Sequence, residues 1–76
     1  MAMNLLMPSS MAPGTLARWL KGVGDTIGVG DIVAEIETDK ASMQIESPYE
    51  GVLVEIRVPE GSAEVEADTV LAVLSE

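Results

Sequence analysis

The chain has 76 residues, which is enough for one small domain, residues 1–76, and no more. It contains neither cysteine nor histidine, so a disulfide framework, a thiolate metal site and the commonest general base are excluded. Thirteen acidic residues against four basic ones give a net charge of -9, which argues against nucleic acid and against an anionic membrane surface as partners. We therefore expect an acidic domain that binds no metal and lacks the side chains of a complete enzyme.

Short apolar runs separated by glycine, proline and aspartate follow one another along the chain. Their period-two alternation is typical of β-strands, and glycine and proline interrupt every window that could hold a helix. The predicted strands in chain order are 4–7, 15–20, 32–38, 41–46, 52–58 and 69–74, with one helical turn expected near 62–65. The sequence thus predicts an all-β protein.

The two halves of the chain repeat each other. One shift of the sequence against itself superimposes Gly14 on Gly51 and Leu16 on Leu53. The same shift also matches Gly24 with Gly61, Asp31 with Asp68 and Val33 with Val70. Such a repeat predicts a flattened barrel or sandwich of two four-stranded sheets related by approximate two-fold symmetry.

One face of each strand is buried in a sandwich of this kind. The expected inward residues are Leu5, Met7, Ala17, Trp19, Val33 or Ile32, Ala34, Ile36, Met43, Ile45, Val54, Ile56, Val70 and Val73. The expected outward residues are Glu35, Glu37, Gln44, Glu46, Glu55 and Arg57. Trp19 is the single tryptophan and is expected to anchor the core.

The two strands with the cleanest alternation are joined by Asp39 and Lys40 alone. Aspartate is a good turn residue because its side chain bonds nearby main chain. The plain interpretation of Lys40 is a solvated lysine that blunts a hairpin tip. A primary amine held by a strand on each side is also well placed for covalent attachment of a cofactor through an amide.

The segment 35–41, EIETDKA, resembles the lipoyl-lysine hairpin of the lipoyl domains of 2-oxo acid dehydrogenase complexes. The resemblance covers nearly the whole chain, and segment 14–19 has a form common in pyruvate dehydrogenase-type acyltransferases. It implies that Lys40 carries lipoic acid in amide linkage. It also implies that Gly24, Glu37 and Gly51 take part in recognition by the ligase.

Asp39, Ala41, Glu35 and Glu46 around the hairpin are the candidates for turn and partner contacts, because an acidic surface can be steered to basic patches; plain solubility is the alternative role of the acidic face. The resemblance implies a carrier with no catalytic residue of its own. The lipoyl group would accept an acyl group from a thiamine diphosphate-dependent decarboxylase and deliver it to coenzyme A at an acyltransferase core. A dihydrolipoamide dehydrogenase would then reoxidise it, and a lipoate ligase or lipoyl transferase would attach it.

The family also sets expectations about context. The domain is expected to be monomeric and to lie in a bacterial cytoplasm or a mitochondrial matrix. We expect it to be part of a longer protein: the N-terminal module of a dihydrolipoamide acyltransferase, a decarboxylase subunit with a fused lipoyl domain, or a binding-protein paralogue. The loop after Pro8 is shorter than is usual in the family, and Pro13 replaces an acidic residue, so the identity of the decarboxylase is left open.

Two other functions fit a β domain of this kind. A biotinyl carrier domain shares the fold and the modified lysine, but its lysine is typically flanked by methionines. Here the flanks are Asp39 and Ala41, which favours lipoate, and Met43 lies further on. A barrel-sandwich adaptor with an unmodified lysine is the second alternative, and a small hydrolase is disfavoured by the missing histidine and cysteine.

Overall fold

A computed structural model describes all 76 residues. Its strands are β1 (Ala2–Leu6), β2 (Thr15–Trp19), β3 (Thr26–Ile27), β4 (Ile32–Glu37), β5 (Ser42–Glu46), β6 (Gly51–Ile56) and β7 (Val70–Ser75). A 3₁₀ turn at Ser9–Met11 is the single helical element, and no helix has the length and hydropathy to cross a membrane. All the predicted strands are present. β3 was missed because two residues are too short to show alternation.

The strands form two antiparallel sheets, one in the order β1-β7-β6-β3 and one in the order β2-β4-β5. The second sheet therefore has three regular strands where four were expected. Segment 61–65 takes the place of the fourth: Gly14 and Val65 exchange main-chain hydrogen bonds of 3.2 and 2.7 Å, and Leu16 bonds to Gly61 and Ser62 at 2.8 Å. The helical turn expected near 62–65 is wrong, and the sheets do not close into a barrel.

The topology bears out the internal repeat. β2 lies beside β4 as β6 lies beside β7, and β5 and β1 are the matching outer strands. Segment 61–65 flanks β2 as β3 flanks β6. Each half-chain contributes to both sheets, and the two sheets have matching strand orders, as the predicted approximate two-fold symmetry requires.

The core lies between the two sheets as one cluster of buried side chains. Six of the expected inward residues belong to it: Leu5, Met7, Val33, Ala34, Ile36 and Ile45. The others are not buried. Met43 and Val54 are 36% and 46% exposed, Ala17, Val70 and Val73 are half-buried, and Trp19 and Ile56 pack against the core from a half-buried position. The core residues missed from sequence are Leu16, Ile27, Leu53, Val58, Val65, Leu71, Ala72 and Leu74.

β-Bulges account for the errors in β2 and β6. The pairing of β2 with β4 shifts between Leu16 and Arg18, and the pairing of β6 with β7 shifts between Leu53 and Glu55. An extra residue in one strand reverses the faces of all residues beyond it, so a single alternating phase cannot describe the strand. The bulges affected the outward predictions less. All the residues predicted to face outward are exposed except Glu35, which is half-buried and forms an ion pair of 3.4 Å with Arg18.

The molecule is elongated, with extents of 34 × 19 × 17 Å. The β4–β5 hairpin turns at one end. Both chain termini lie at the other end, where β1 starts opposite Ser75 and the Glu76 N–H donates a hydrogen bond of 3.2 Å to the Met1 carbonyl. The hairpin is thus held by the sheets and stands apart from the termini.

The same tetrapeptide, Gly-Val-Gly-Asp, makes the turn on each side of β3, at 22–25 and 28–31. Its third residue has a φ of +98° in Gly24 and +88° in Gly30, a region that favours glycine. The Asp25 and Asp31 carboxylates each accept a hydrogen bond of 2.8 Å from the first glycine of the turn. The bond to Asp31 is partly buried, whereas the bond to Asp25 is exposed.

This difference predicts unequal costs for the same substitution. We expect Asp31→Ala to lower the free energy of unfolding by about 1.5 kcal/mol and Asp25→Ala by about 0.5 kcal/mol, because water replaces the exposed bond more easily. Urea denaturation of the two variants measures both values. Equal losses would show that burial of the bond is irrelevant here.

Candidate functional site

Lys40 occupies the tip of the β4–β5 hairpin. Glu37 and Ser42 form the last pair of the ladder, and Asp39 and Lys40 are the exposed central residues of the turn that follows. The structure contains a single ion pair, between Arg18 and Glu35, so the Lys40 ammonium group is unpaired. The result is a free primary amine on a main chain that is anchored by a strand on each side.

Thr38 organises this turn, and sequence reasoning gave it no role. Its hydroxyl donates a hydrogen bond of 3.0 Å to the Ala41 carbonyl. The same oxygen accepts bonds from the N–H groups of Lys40 (3.3 Å) and Ala41 (3.2 Å). The Thr38 N–H also donates to the Ala41 carbonyl at 3.0 Å. One side chain therefore ties together three of the four residues of the tip.

The carboxylates expected around the hairpin are only partly assembled there. Glu37 and Asp39 are exposed beside the lysine, and Glu35 lies on the outer face of β4. Glu46 does not lie at the tip, because it pairs with Ile32 at the far end of β5. It lies four positions after Ser42, a distance of about 13 Å along a strand.

Glu64 lies at the tip instead of Glu46. It lines a shallow cleft of about 510 Å³ beside the hairpin. The other lining residues are Pro13, Gly14, Thr15, Glu37, Thr38, Asp39 and Ala63. The internal repeat could have predicted this position. The repeat matches Gly14 with Gly51 and residues 63 and 64 with β3. Since β3 lies beside Gly51, residues 63 and 64 are expected beside Gly14.

Gly24 and Gly51 lie together, away from the tip. The Gly24 N–H donates to the Leu53 carbonyl at 2.7 Å, and Gly51 pairs with Ile27 near the chain termini. A Cβ on Gly51 would lie 2.6 Å from the Ser75 carbonyl oxygen. The fold therefore requires both glycines where they are, and their part in ligase recognition stays a prediction.

The loop after β1 lies at the same end as the hairpin. A Cβ on Gly14 would lie 2.7 Å from the carbonyl oxygen of Met11 and 3.2 Å from Met7, so the 3₁₀ turn packs against the start of β2. β2 in turn begins opposite Glu37. The loop whose length departs from the family pattern is thus close to the lysine.

A two-layer β domain with one unpaired lysine at a hairpin tip has the form of a domain for covalent cofactor attachment. The Biotin_lipoyl family model, described as "Biotin-requiring enzyme", matches residues 6–74, and the chain belongs to this family.

Its relatives place it among the lipoyl domains. The chain is 48% identical over 79 residues to the dihydrolipoyllysine-residue acetyltransferase component of the pyruvate dehydrogenase complex of Rickettsia typhi, covering all of this chain and 20% of the relative. It is 43% identical over 77 residues to the pyruvate dehydrogenase E1 component subunit beta of Rhizobium meliloti, covering 97% of this chain and 17% of that one. The chain thus spans about a fifth of the length of these curated relatives.

A solved structure gives the same result. The lipoyl domain of the 2-oxoglutarate dehydrogenase complex from Azotobacter vinelandii superimposes with a TM-score of 0.72 at 30% identity. The match covers 96% of this chain and 95% of that domain. The all-β fold with two packed sheets is therefore the lipoyl-domain fold.

Proposed function

We propose that Lys40 carries lipoic acid in amide linkage and that the domain is an acyl carrier of a pyruvate dehydrogenase complex. The observation that carries the proposal is the free amine at an exposed and well-anchored hairpin tip. Nothing in the structure competes for the amine, and no neighbouring side chain covers it. The residues present therefore fit the group.

The cofactor would supply the chemistry, and the protein supplies the position from which the cofactor acts. Bound lipoate supplies a dithiolane that can be reduced and acylated. The protein holds the amine that bears it: β4 and β5 fix the hairpin, and the Thr38 hydroxyl closes the turn. The domain alone is a carrier, and we place the acyltransferase activity in the longer protein to which its relatives belong.

The surface charge suits a carrier that visits several enzymes. Glu37, Asp39 and Glu64 line the cleft beside the hairpin tip, in a chain with a net charge of -9. Charge of one sign accelerates encounters with surfaces of the opposite sign and loses effect as salt rises. Tethering raises the effective concentration, so weak contacts with the thiamine diphosphate-dependent decarboxylase, the acyltransferase core and dihydrolipoamide dehydrogenase suffice.

The parent chain is an acetyltransferase component in this proposal, and its place is the bacterial cytoplasm, since the relatives named above are bacterial. A second candidate parent is a decarboxylase subunit, which the match to the subunit beta of Rhizobium meliloti favours.

The test is expression of the chain with lipoate and a lipoate ligase. We expect the intact mass to rise by one lipoyl group and peptide mapping to locate it on Lys40. A parallel sample with biotin and a biotin ligase, probed with streptavidin, is expected to stay unmodified because Asp39 and Ala41 replace the usual flanking methionines. Modification at Lys21, or biotin in place of lipoate, would contradict the proposal.

A further inference from the structure

The Thr38 side chain closes the hairpin tip, in place of the usual pair of main-chain hydrogen bonds between the two residues that flank the turn. The N–H of Ala41 donates a hydrogen bond of 3.2 Å to the Thr38 hydroxyl, and the hydroxyl in turn donates a hydrogen bond of 3.0 Å to the Ala41 carbonyl. The remaining lone pair of the oxygen accepts the N–H of Lys40 at 3.3 Å. The hydroxyl thus uses its one donor and both acceptor positions within the turn.

The turn needs this help because its sequence lacks the residues that two-residue hairpins prefer. Such hairpins favour primed turns with positive φ, supplied by glycine or asparagine. Positive φ occurs in this chain at Glu64, Asp68 and glycines, so Asp39 and Lys40 both have negative φ. The main chain alone contributes one bond across the tip, from the Thr38 N–H to the Ala41 carbonyl.

Resting on the proposed attachment at Lys40, we propose that Thr38 is a positioning residue for that modification. Its hydroxyl fixes the main chain of Lys40 and Ala41 in one arrangement, so that the amine is presented to the attaching enzyme from a defined point. Attachment depends on the orientation of the amine toward the activated carboxyl group, and small misplacements of a reacting group are costly.

The exposure of the tip separates this role from a role in stability. Asp39, Lys40 and Ala41 are exposed, so the N–H groups freed by removal of the hydroxyl would bond to water. The core is elsewhere, between the sheets. The loss of the hydroxyl should therefore disorder the tip locally and leave the melting temperature of the domain nearly unchanged.

The experiment compares lipoate ligase kinetics on four unmodified proteins: wild type, Thr38→Val, Thr38→Ser and Thr69→Val. We expect kcat/KM to fall about tenfold in Thr38→Val, which keeps the shape but lacks the hydroxyl. Thr38→Ser restores the hydroxyl and should stay within about twofold of wild type. Thr69→Val is the matched control, because Thr69 is also half-buried and its hydroxyl makes no hydrogen bond within the protein.

Two further measurements distinguish a loss of positioning from a general change in the reactivity of Lys40. Reaction of Lys40 with a small activated ester should be equal in all four proteins, because it needs no defined turn. Amide exchange of Lys40 and Ala41 should accelerate in Thr38→Val alone. Thr38→Ala, without the branched side chain, serves as a second variant should Thr38→Val fold poorly.

The outcomes distinguish the two proposals. If the wild type itself gains no lipoyl group on Lys40, the proposed function is wrong and this inference falls with it. If the wild type is modified and Thr38→Val reacts at the same rate, the proposed function stands and the positioning role is wrong. If Thr38→Ser is as slow as Thr38→Val, the hydroxyl is not the group that matters.

Discussion

Lys40→Arg is expected to abolish lipoylation while leaving the fold intact. Arginine keeps the charge and nearly the length of lysine, but its guanidinium stays protonated and forms no amide under these conditions. Lys40 is exposed and unpaired, so the free energy of unfolding should change by less than about 0.5 kcal/mol. Intact mass after expression with lipoate and the ligase measures the first effect, and urea denaturation measures the second.

Lys21→Arg is the matched control, since Lys21 is the other lysine of the chain and is half-buried next to the first Gly-Val-Gly-Asp turn. This variant should gain one lipoyl group as the wild type does. A lipoyl group on the Lys40→Arg protein would show that the attachment point lies elsewhere.

Gly14→Ala and Gly51→Ala are expected to be strongly destabilising, although each adds only one methyl group. A Cβ on Gly14 would lie 2.6 Å from the Ile36 Cγ2 atom and 2.7 Å from the Met11 carbonyl oxygen. A Cβ on Gly51 would lie 2.6 Å from the Ser75 carbonyl oxygen. Main chain cannot move away as a flexible side chain can, so each variant should lose about 2–3 kcal/mol of unfolding free energy.

Gly22→Ala is the comparison, because its nearest atom would be the Asp25 Oδ2 at 3.8 Å, an ordinary contact. We expect a change within about 0.5 kcal/mol for this exposed position. Urea denaturation of all three variants tests the ranking. A Gly51→Ala protein that is as stable as wild type yet is not lipoylated would instead assign Gly51 to recognition by the ligase.

The strands were predictable from sequence because alternation and turn residues are local signals. The faces of the strands were predictable where the alternation of buried and exposed residues is unbroken. Leu5 in β1 and Met7, which directly follows β1, were correctly assigned to the core. Leu16 and Leu53 were left out of the predicted core, because the bulges that follow them depend on how the partner strand pairs. Segment 62–65 was misassigned for a related reason: its conformation depends on the hydrogen bonds that join residues 61–65 to Gly14 and Leu16, which are distant in sequence.

The site, too, was predictable from sequence where its features are local, and not where they depend on the folded structure. Lys40 was identified from its place between two alternating strands, which is a local feature. The role of the Thr38 hydroxyl depends on the geometry of the folded turn, and the position of Glu64 beside the tip depends on a contact between distant parts of the chain. The glycines at 24 and 51 were noted from the family pattern, while the fold supplies the physical reasons: a φ of +98° at Gly24 and the close approach of the Ser75 main chain at Gly51.

The location of the termini has a mechanical consequence. Met1 and Glu76 lie at one end of a molecule 34 Å long, and the β4–β5 hairpin turns at the other end. Any segment joined to either terminus is thus attached far from the hairpin tip. Rotation of the domain about its termini moves the hairpin tip further than any other part of the molecule, so the length of the fold adds to the distance that a group attached at the tip would cover.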